Sequence, residues 1–270
     1  MHDYSNKTVF VAGGTQGLNF GIADAFAKAG ARVAVCSRSQ DKVDAAVTKL
    51  KAHGKDALGF ACDVRQYDAV SQALAKTHER FGEIDVLVSG AAGNFPAPAL
   101  ALSPNGFRAV VDIDLVGTFH VLRAGFEHLK KPGASVINIT AQQGSQPVAM
   151  QAHACAAKAG VDQLTRVLAI EWGAAGVRVN AISPGPIENT GGMERLAPSG
   201  DVSPRIAEGV PLARVGTHED IAECALFLSS KRASYITGAI VPVDGGMSLY
   251  GGGLFGQVLT AAFAEQSSKR

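Results

Sequence analysis

The chain has 270 residues, of which 47% are hydrophobic and 18% charged, and its formal net charge is +1 at pH 7. That is apolar content enough for one sizeable core, and so even a charge balance argues against nucleic acid or an anionic membrane as partner. No apolar run is long enough to span a bilayer, and Met1–Lys7 lacks the basic and apolar regions of an export signal. The four cysteines, Cys36, Cys62, Cys155 and Cys224, are scattered without a Cys-x-x-Cys pair. They read as small buried hydrophobes in a reducing compartment, and no metal site is predicted. The expected location is cytoplasmic. The terminal Ser268-Lys269-Arg270 departs from a peroxisomal Ser-Lys-Leu signal at its last residue.

Short β-branched runs alternate with longer amphipathic ones. In chain order the predicted elements begin with a strand at Thr8–Ala12, a helix at Leu18–Ala29 and a strand at Arg32–Ser37. A helix at Asp41–His53, a strand at Ala57–Cys62, a helix at Tyr67–Phe81 and a strand at Ile84–Ser89 follow. Next come a long helical stretch at Phe107–Lys130, a strand at Ser135–Thr140 and a helix at Ala152–Trp172. The last are a strand at Val177–Ser183, a helix at Glu219–Ser229 and a strand at Ile240–Val243. Nearly all-apolar strands alternating with helices predict an α/β fold. It is a Rossmann-type, doubly wound parallel sheet with helices on both faces, a single domain over residues 1–270. Pro184–Leu212 is rich in Gly, Pro and Ser without a clear period, which predicts a lid-like substrate loop. The tail Leu249–Arg270 is expected to reach over either the active site or a neighbouring subunit.

The first strand runs into Gly13-Gly14-Thr15-Gln16-Gly17-Leu18-Asn19-Phe20 and then a helix start. Small residues there let the backbone approach a pyrophosphate, while the helix N-terminus offers free N–H groups. The second strand ends Ser37-Arg38-Ser39, with no carboxylate from Cys36 to Gln40. A selective NAD site would place an acid here for the ribose hydroxyls. A guanidinium instead complements a 2′-phosphate, so NADP(H) is expected, with Ser37, Ser39 and Lys42 assisting Arg38.

Further blocks carry a resemblance. They are Gly13-x-x-x-Gly17, Asp63-Val64, Ser89-Gly90-Ala91-Ala92-Gly93, Lys158, Pro184-Gly185-Pro186-Ile187 and Val243-Asp244-Gly245-Gly246. From about residue 7 to Gly246 the chain resembles the short-chain dehydrogenase/reductase family. The resemblance implies a cofactor site at Gly13, Thr15, Gln16, Gly17, Leu18, Asn19 and Phe20, where Asn19 replaces a glycine. It extends that site to Asp63, Val64, Ala91, Gly93, Lys158, Pro184, Gly185, Pro186, Ile187 and Thr190.

The family's catalytic set is Asn, Ser, Tyr and Lys. Here those positions hold Asp114, Ala141, Ala154 and Lys158, so the usual oxygen-protonating pair is gone. The same departure, with Asn94-Phe95, Asp112-Ile113-Asp114, Gly117-Thr118-Phe119 and Glu171-Trp172-Gly173, resembles the 2,4-dienoyl-CoA reductase subgroup, especially its peroxisomal type. This resemblance implies NADPH-dependent reduction of 2,4-dienoyl-CoA thioesters, with Asp114 and Lys158 catalytic. Hydride adds at C5, charge spreads as a dienolate, and the proton goes to carbon, so a tyrosine is dispensable. It also implies acyl-CoA contacts from Arg38, Arg65, Phe95, Ser103, Asn105 and Arg195, and a homotetramer. The donor to the dienolate oxygen stays open among Thr140, Gln142 and His153. Two rival readings are an NADP-dependent 3-oxoacyl or other carbonyl reductase with a displaced acid, and a non-catalytic NADP-binding sensor. The missing pair argues against the first, and Lys158 with the three arginines against the second.

Overall fold

The computed structural model describes residues 3–190 and 206–252. Arg195, residues 191–205 of the expected lid and residues 253–270 of the tail lie outside the described residues.

Seven strands form one sheet: β1 Thr8–Ala12, β2 Arg32–Ser37, β3 Ala57–Ala61, β4 Val86–Ser89, β5 Ser135–Ile139, β6 Arg178–Pro184 and β7 Ile240–Val243. Their order is β3-β2-β1-β4-β5-β6-β7, and every pairing is parallel. The β1, β4 and β5 residues are all buried. Alternate side chains of β1 therefore feed two separate cores. Val9 and Val11 pack with Ile22 and Phe26 of α1 (Gly17–Lys28) and Leu50 of α2 (Gln40–Lys51). Ile221 and Leu226 of a later helix, His218–Ser229, join the same layer. Phe10 and Ala12 pack on the opposite face with Leu74 of α3 (Tyr67–Phe81). Leu122 of a segment at Gly117–Gly125 and Leu168 and Trp172 of Ala152–Gly173 complete that face. Helices thus cover both faces, as the apolar strands require.

The predicted helix over Phe107–Lys130 is four elements. It begins earlier, as α4 at Pro104–Val111, because Ser103 caps it: its Oγ accepts from the Gly106 N–H at 3.0 Å, and Pro104 follows. A π-helical turn at Asp112–Val116 then widens the helix before α5 at Gly117–Gly125. Short 3-10 turns continue to His128. α6 is Ala152–Gly173 and α7 is His218–Ser229. α7 starts on a reciprocal cap in which the Thr217 hydroxyl accepts from Asp220 N–H and the Asp220 carboxylate accepts from Thr217 N–H.

The sheet order reverses between β1 and β4, where Ala12 sits opposite Ser89. In open parallel sheets the crevice beyond such a reversal is where ligands bind. The roots of the lid are pinned together: Gly216 N–H donates to the Pro186 carbonyl at 2.9 Å, and Glu188 N–H to the Gly216 carbonyl at 3.0 Å. No described helix is long and apolar enough to cross a membrane, and no described group of three His, Cys, Asp or Glu could hold a metal. Cys36 and Cys62 are buried free thiols, and burial pushes the Cys224 thiol up to about 11.

Candidate active site

Gly13 and Gly17 both adopt positive φ, 77° and 56°. A Cβ on Gly13 would meet the Ala91 backbone at 2.9 Å, so the β1 and β4 loops close together only through glycine. Gln16 caps α1 without a side-chain hydrogen bond, and the first turn carries no acid. The free N–H groups there face the crevice end of β1, as a pyrophosphate requires. Asn19 does not crowd that turn: its Nδ2 donates to the Gly90 carbonyl at 2.6 Å. It ties α1 to the loop after β4. Leu18 and Phe20 pack their side chains on the core, leaving only backbone to the loop.

Beyond β2, Arg38 is exposed and the Ser37 hydroxyl is a buried polar atom without a partner. Lys42 Nζ donates to Gln16 Oε1 at 2.7 Å, bridging α2 to the glycine loop. Ser39 caps α2 without spending its side chain. Two cations, two hydroxyls and a helix N-terminus fit the ribose phosphate end of a dinucleotide. Past β3, Arg65 chelates Asp63, with Nε to Oδ1 at 3.0 Å and Nη2 to Oδ2 at 2.5 Å. That guanidinium is the chief cause of an Asp63 carboxyl below its ordinary range. Val64 and Ala91 are buried or nearly so around the same end. Arg38 and Arg65 therefore stand together at the β2–β3 side. Phe95, Ser103 and Asn105 lie past β4, on the other side of β1.

At the expected reaction centre stands a buried ion pair. Lys158 Nζ lies 3.2 Å from Asp114 Oδ2 and donates to the Ile139 carbonyl at 3.1 Å. Asp114 Oδ1 accepts from the Gly93 N–H at 2.7 Å. The two side chains are 2% and 9% exposed, so each neutralises a charge that could not be buried alone. The π turn carries Asp114. One turn on, Thr118 Oγ1 donates to the Asp114 carbonyl at 2.7 Å and accepts from Ser89 Oγ at 3.2 Å, tying the turn to β4. Such turns recur at functional sites because the extra residue re-aims a side chain.

Of the three candidate oxygen donors, Thr140 and Gln142 are engaged, while His153 is buried with its Nε2 unpartnered. Thr140 Oγ1 donates to the Lys158 carbonyl at 3.5 Å, and Gln142 Nε2 donates to Asp244 Oδ2 at 3.0 Å. His153 is fully buried, its Nδ1 accepting from the Ala154 N–H at 2.9 Å and its ring set edge-to-face on Phe95 at 4.6 Å. Sequence reading gave no role to three groups that the fold brings here. Asp244 accepts from Gln142, Gly246 N–H and Ser248 N–H and lines a cavity of about 450 Å³ with Pro186 and Ile187. Gln151 Oε1 accepts from Asn94 Nδ2 and Gln143 Nε2, each at 2.9 Å. Asp162 is buried one turn beyond Lys158. The spacing Lys158 to Asp162, four residues on one helix, was the available signal for the last. Asp244 and Gln151 meet their partners only through long-range folding.

Near Phe95 the mouth is apolar, with Phe107, Val148 and Met150 exposed and Ala97 N–H donating to the Met150 carbonyl at 2.8 Å. Ser103 is spent as the α4 cap, while Asn105 is exposed on the first turn of that helix. Thr190 Oγ1 donates to the Ile187 carbonyl at 2.9 Å, at the root of the lid.

A family model described as enoyl-(acyl carrier protein) reductase matches residues 12–248. The chain belongs to the short-chain dehydrogenase/reductase family. Its relatives include the peroxisomal 2,4-dienoyl-CoA reductase [(3E)-enoyl-CoA-producing] of Pongo abelii, 43% identical over 244 residues, 89% of this chain and 83% of the relative. A probable 2,4-dienoyl-CoA reductase [(2E)-enoyl-CoA-producing] of Bacillus subtilis is 40% identical over 246 residues, 90% of this chain and 97% of that one. Among solved structures, a short chain dehydrogenase from Bacillus anthracis is 38% identical with a TM-score of 0.82, covering 90% of this chain and 96% of that one. As a member of this family the chain is an oxidoreductase of a kind that uses a nicotinamide cofactor.

Proposed function

We propose that this oxidoreductase reduces 2,4-dienoyl-CoA thioesters with NADPH. The observation that carries the reading is the Asp114–Lys158 pair standing where Ala141 and Ala154 replace the oxygen-protonating Ser and Tyr. Relatives at 40–43% identity named as 2,4-dienoyl-CoA reductases support it.

Bound NADPH supplies the hydride. Gly13, Thr15, Gln16, Gly17, Leu18, Asn19 and Phe20 form or brace the turn against its pyrophosphate. Arg38, Ser39 and Lys42 take its 2′-phosphate, Lys42 with the two N–H donors that its bond to Gln16 leaves over. Asp63, Val64, Ala91 and Gly93 flank the adenosine half. Pro184, Gly185, Pro186, Ile187 and Thr190 flank the nicotinamide, whose ribose Lys158 holds. Arg38, Arg65, Phe95, Ser103, Asn105 and Arg195 contact the acyl-CoA.

Hydride delivered to C5 of the diene sends negative charge toward the thioester oxygen. The ammonium of Lys158 stabilises that charge, and does so more strongly away from bulk water. Asp114, fixed by Gly93 N–H, orients a water that delivers the proton to carbon. The apolar face formed by Leu115, Val116, Phe119, Gly160, Gln163 and Leu164 is the surface on which we place the subunit contact of a homotetramer.

The test is a paired assay with purified protein and NADPH. A 2,4-dienoyl-CoA is expected to lose diene absorbance at the rate NADPH is consumed, while a 3-oxoacyl-CoA is left alone. Turnover of the 3-oxoacyl-CoA alone would make the chain a carbonyl reductase. NADPH binding without turnover of either would make it a sensor.

A further inference from the structure

Asp162 is a buried titratable group that the scheme above leaves without work. It stands on α6 one turn beyond Lys158 and is 4% exposed. Its Oδ1 has no hydrogen-bond partner, and the one side-chain donor beside it, the Thr140 hydroxyl, has its single proton contested by the Lys158 carbonyl. Among the described residues no Lys, Arg or His forms an ion pair with it, because Lys158 is turned to Asp114. The turn Gln142–Gly144 closes directly over it: a Cβ on Gly144 would collide with Asp162 Oδ2. A buried acid with one oxygen unpartnered, a shared hydroxyl donor and no ion-pair partner is more easily held neutral than ionised.

The surrounding charges are few. On its own helix Lys158 and Arg166 act on it from a distance, and from the end of β5 and the turn come only uncharged Thr140 and Gly144. Asp114, from the π turn, is paired with Lys158 and is not among the groups that act on Asp162. Burial is the leading cause that raises the Asp162 carboxyl above its ordinary range, against the smaller opposing pulls of Thr140, Arg166 and Lys158.

Resting on the reductase reading, we propose that Asp162 is a positioning residue that stays protonated during turnover and so leaves the charge of Lys158 to Asp114 and the substrate. An ionised Asp162 would put a second negative charge one turn from Lys158. Part of the field that stabilises the developing dienolate would then be cancelled. The rate should fall as pH rises through the ionisation of Asp162. Asp162 acts through Lys158 and touches neither substrate nor cofactor.

The test is the pH profile of kcat for wild type and Asp162→Asn, which cannot ionise but keeps a similar shape. In wild type kcat should drop on the alkaline side. In the variant the drop should move up by about one pH unit or more, leaving it about tenfold faster relative to its own plateau at the alkaline end. Superimposable profiles would overturn the proposal. So would loss of kcat at every pH with NADPH binding intact, since that marks Asp162 as the proton donor itself. Should the variant not fold, the wild-type carboxyl of Asp162 can be followed by carbon NMR. Titration within or below the ordinary aspartate range would overturn the proposal, and titration above it would support it. This readout needs no substrate. Failure of wild type to reduce any dienoyl-CoA would remove the reductase reading while the NMR titration still reports the charge state of Asp162.

Discussion

At the scale of single residues, the centre depends on two charges that are affordable only together. Removing Lys158 leaves the Asp114 carboxylate buried with Gly93 N–H as its remaining close partner. Lys158→Met is therefore expected to cost about 3–5 kcal/mol in chemical denaturation, besides weakening NADPH. Asp162 makes a prediction of opposite sign. Its carboxyl is raised by burial in the fold, so the folded state holds the proton more tightly than the unfolded chain. The stability tied to it is largest below the unfolded value and declines as pH climbs from there to the raised folded value. Asp162→Asn should thus gain stability relative to wild type as pH climbs above the ordinary aspartate range, read as a Tm difference that widens with pH. At Arg38, exposed beside the unpartnered Ser37 hydroxyl, Arg38→Gln should weaken NADPH by roughly 10-fold, a charge-assisted contact of about 1.5 kcal/mol or more, and leave NADH nearly untouched. Fluorescence titration of the two cofactors checks it.

At the scale of elements, strands were the easiest to read. Thr8–Ala12, Arg32–Ser37 and Ile240–Val243 are predicted at their observed ends; for the first two this is because a buried parallel strand is a largely apolar run bounded by turn residues, whereas the edge strand Ile240–Val243 has no buried residue. The long helix over Phe107–Lys130 was not readable as the broken element it is. Its π turn is tied to β4 through Thr118 and Ser89, a contact between residues 29 apart in sequence. Ser103-Pro104 carried a start signal that the apolar period alone did not use. Nor could sequence show that Asn19 would turn onto Gly90, which spares the phosphate turn. Since Thr118 holds the Asp114 carbonyl and ties it to β4, Thr118→Val should lower kcat about 10-fold with a smaller change in KM for NADPH. Thr118→Ser should restore most of it.

At the scale of the whole molecule, the sheet order and the two core layers follow from alternation and apolar strands. The site is legible in part. Residues at strand ends, such as Gly13, Asp63 and Gly93, fall beside the crevice simply because parallel strands end on one side. Asp244 and Gln142 are 102 residues apart, and their contact exists only once β7 closes beside β6. The apolar face around Phe119, which is 46% exposed, predicts association. Phe119→Glu should shift the assembly to smaller species in analytical ultracentrifugation, as burying a carboxylate there is unfavourable. The central claim is that Asp114, with Lys158, does the work of the absent tyrosine. The most direct measurement is dienoyl-CoA turnover and NADPH affinity of Asp114→Asn side by side. The account predicts a fall in kcat of at least about 100-fold with NADPH bound nearly as tightly. Full turnover in that variant would contradict it.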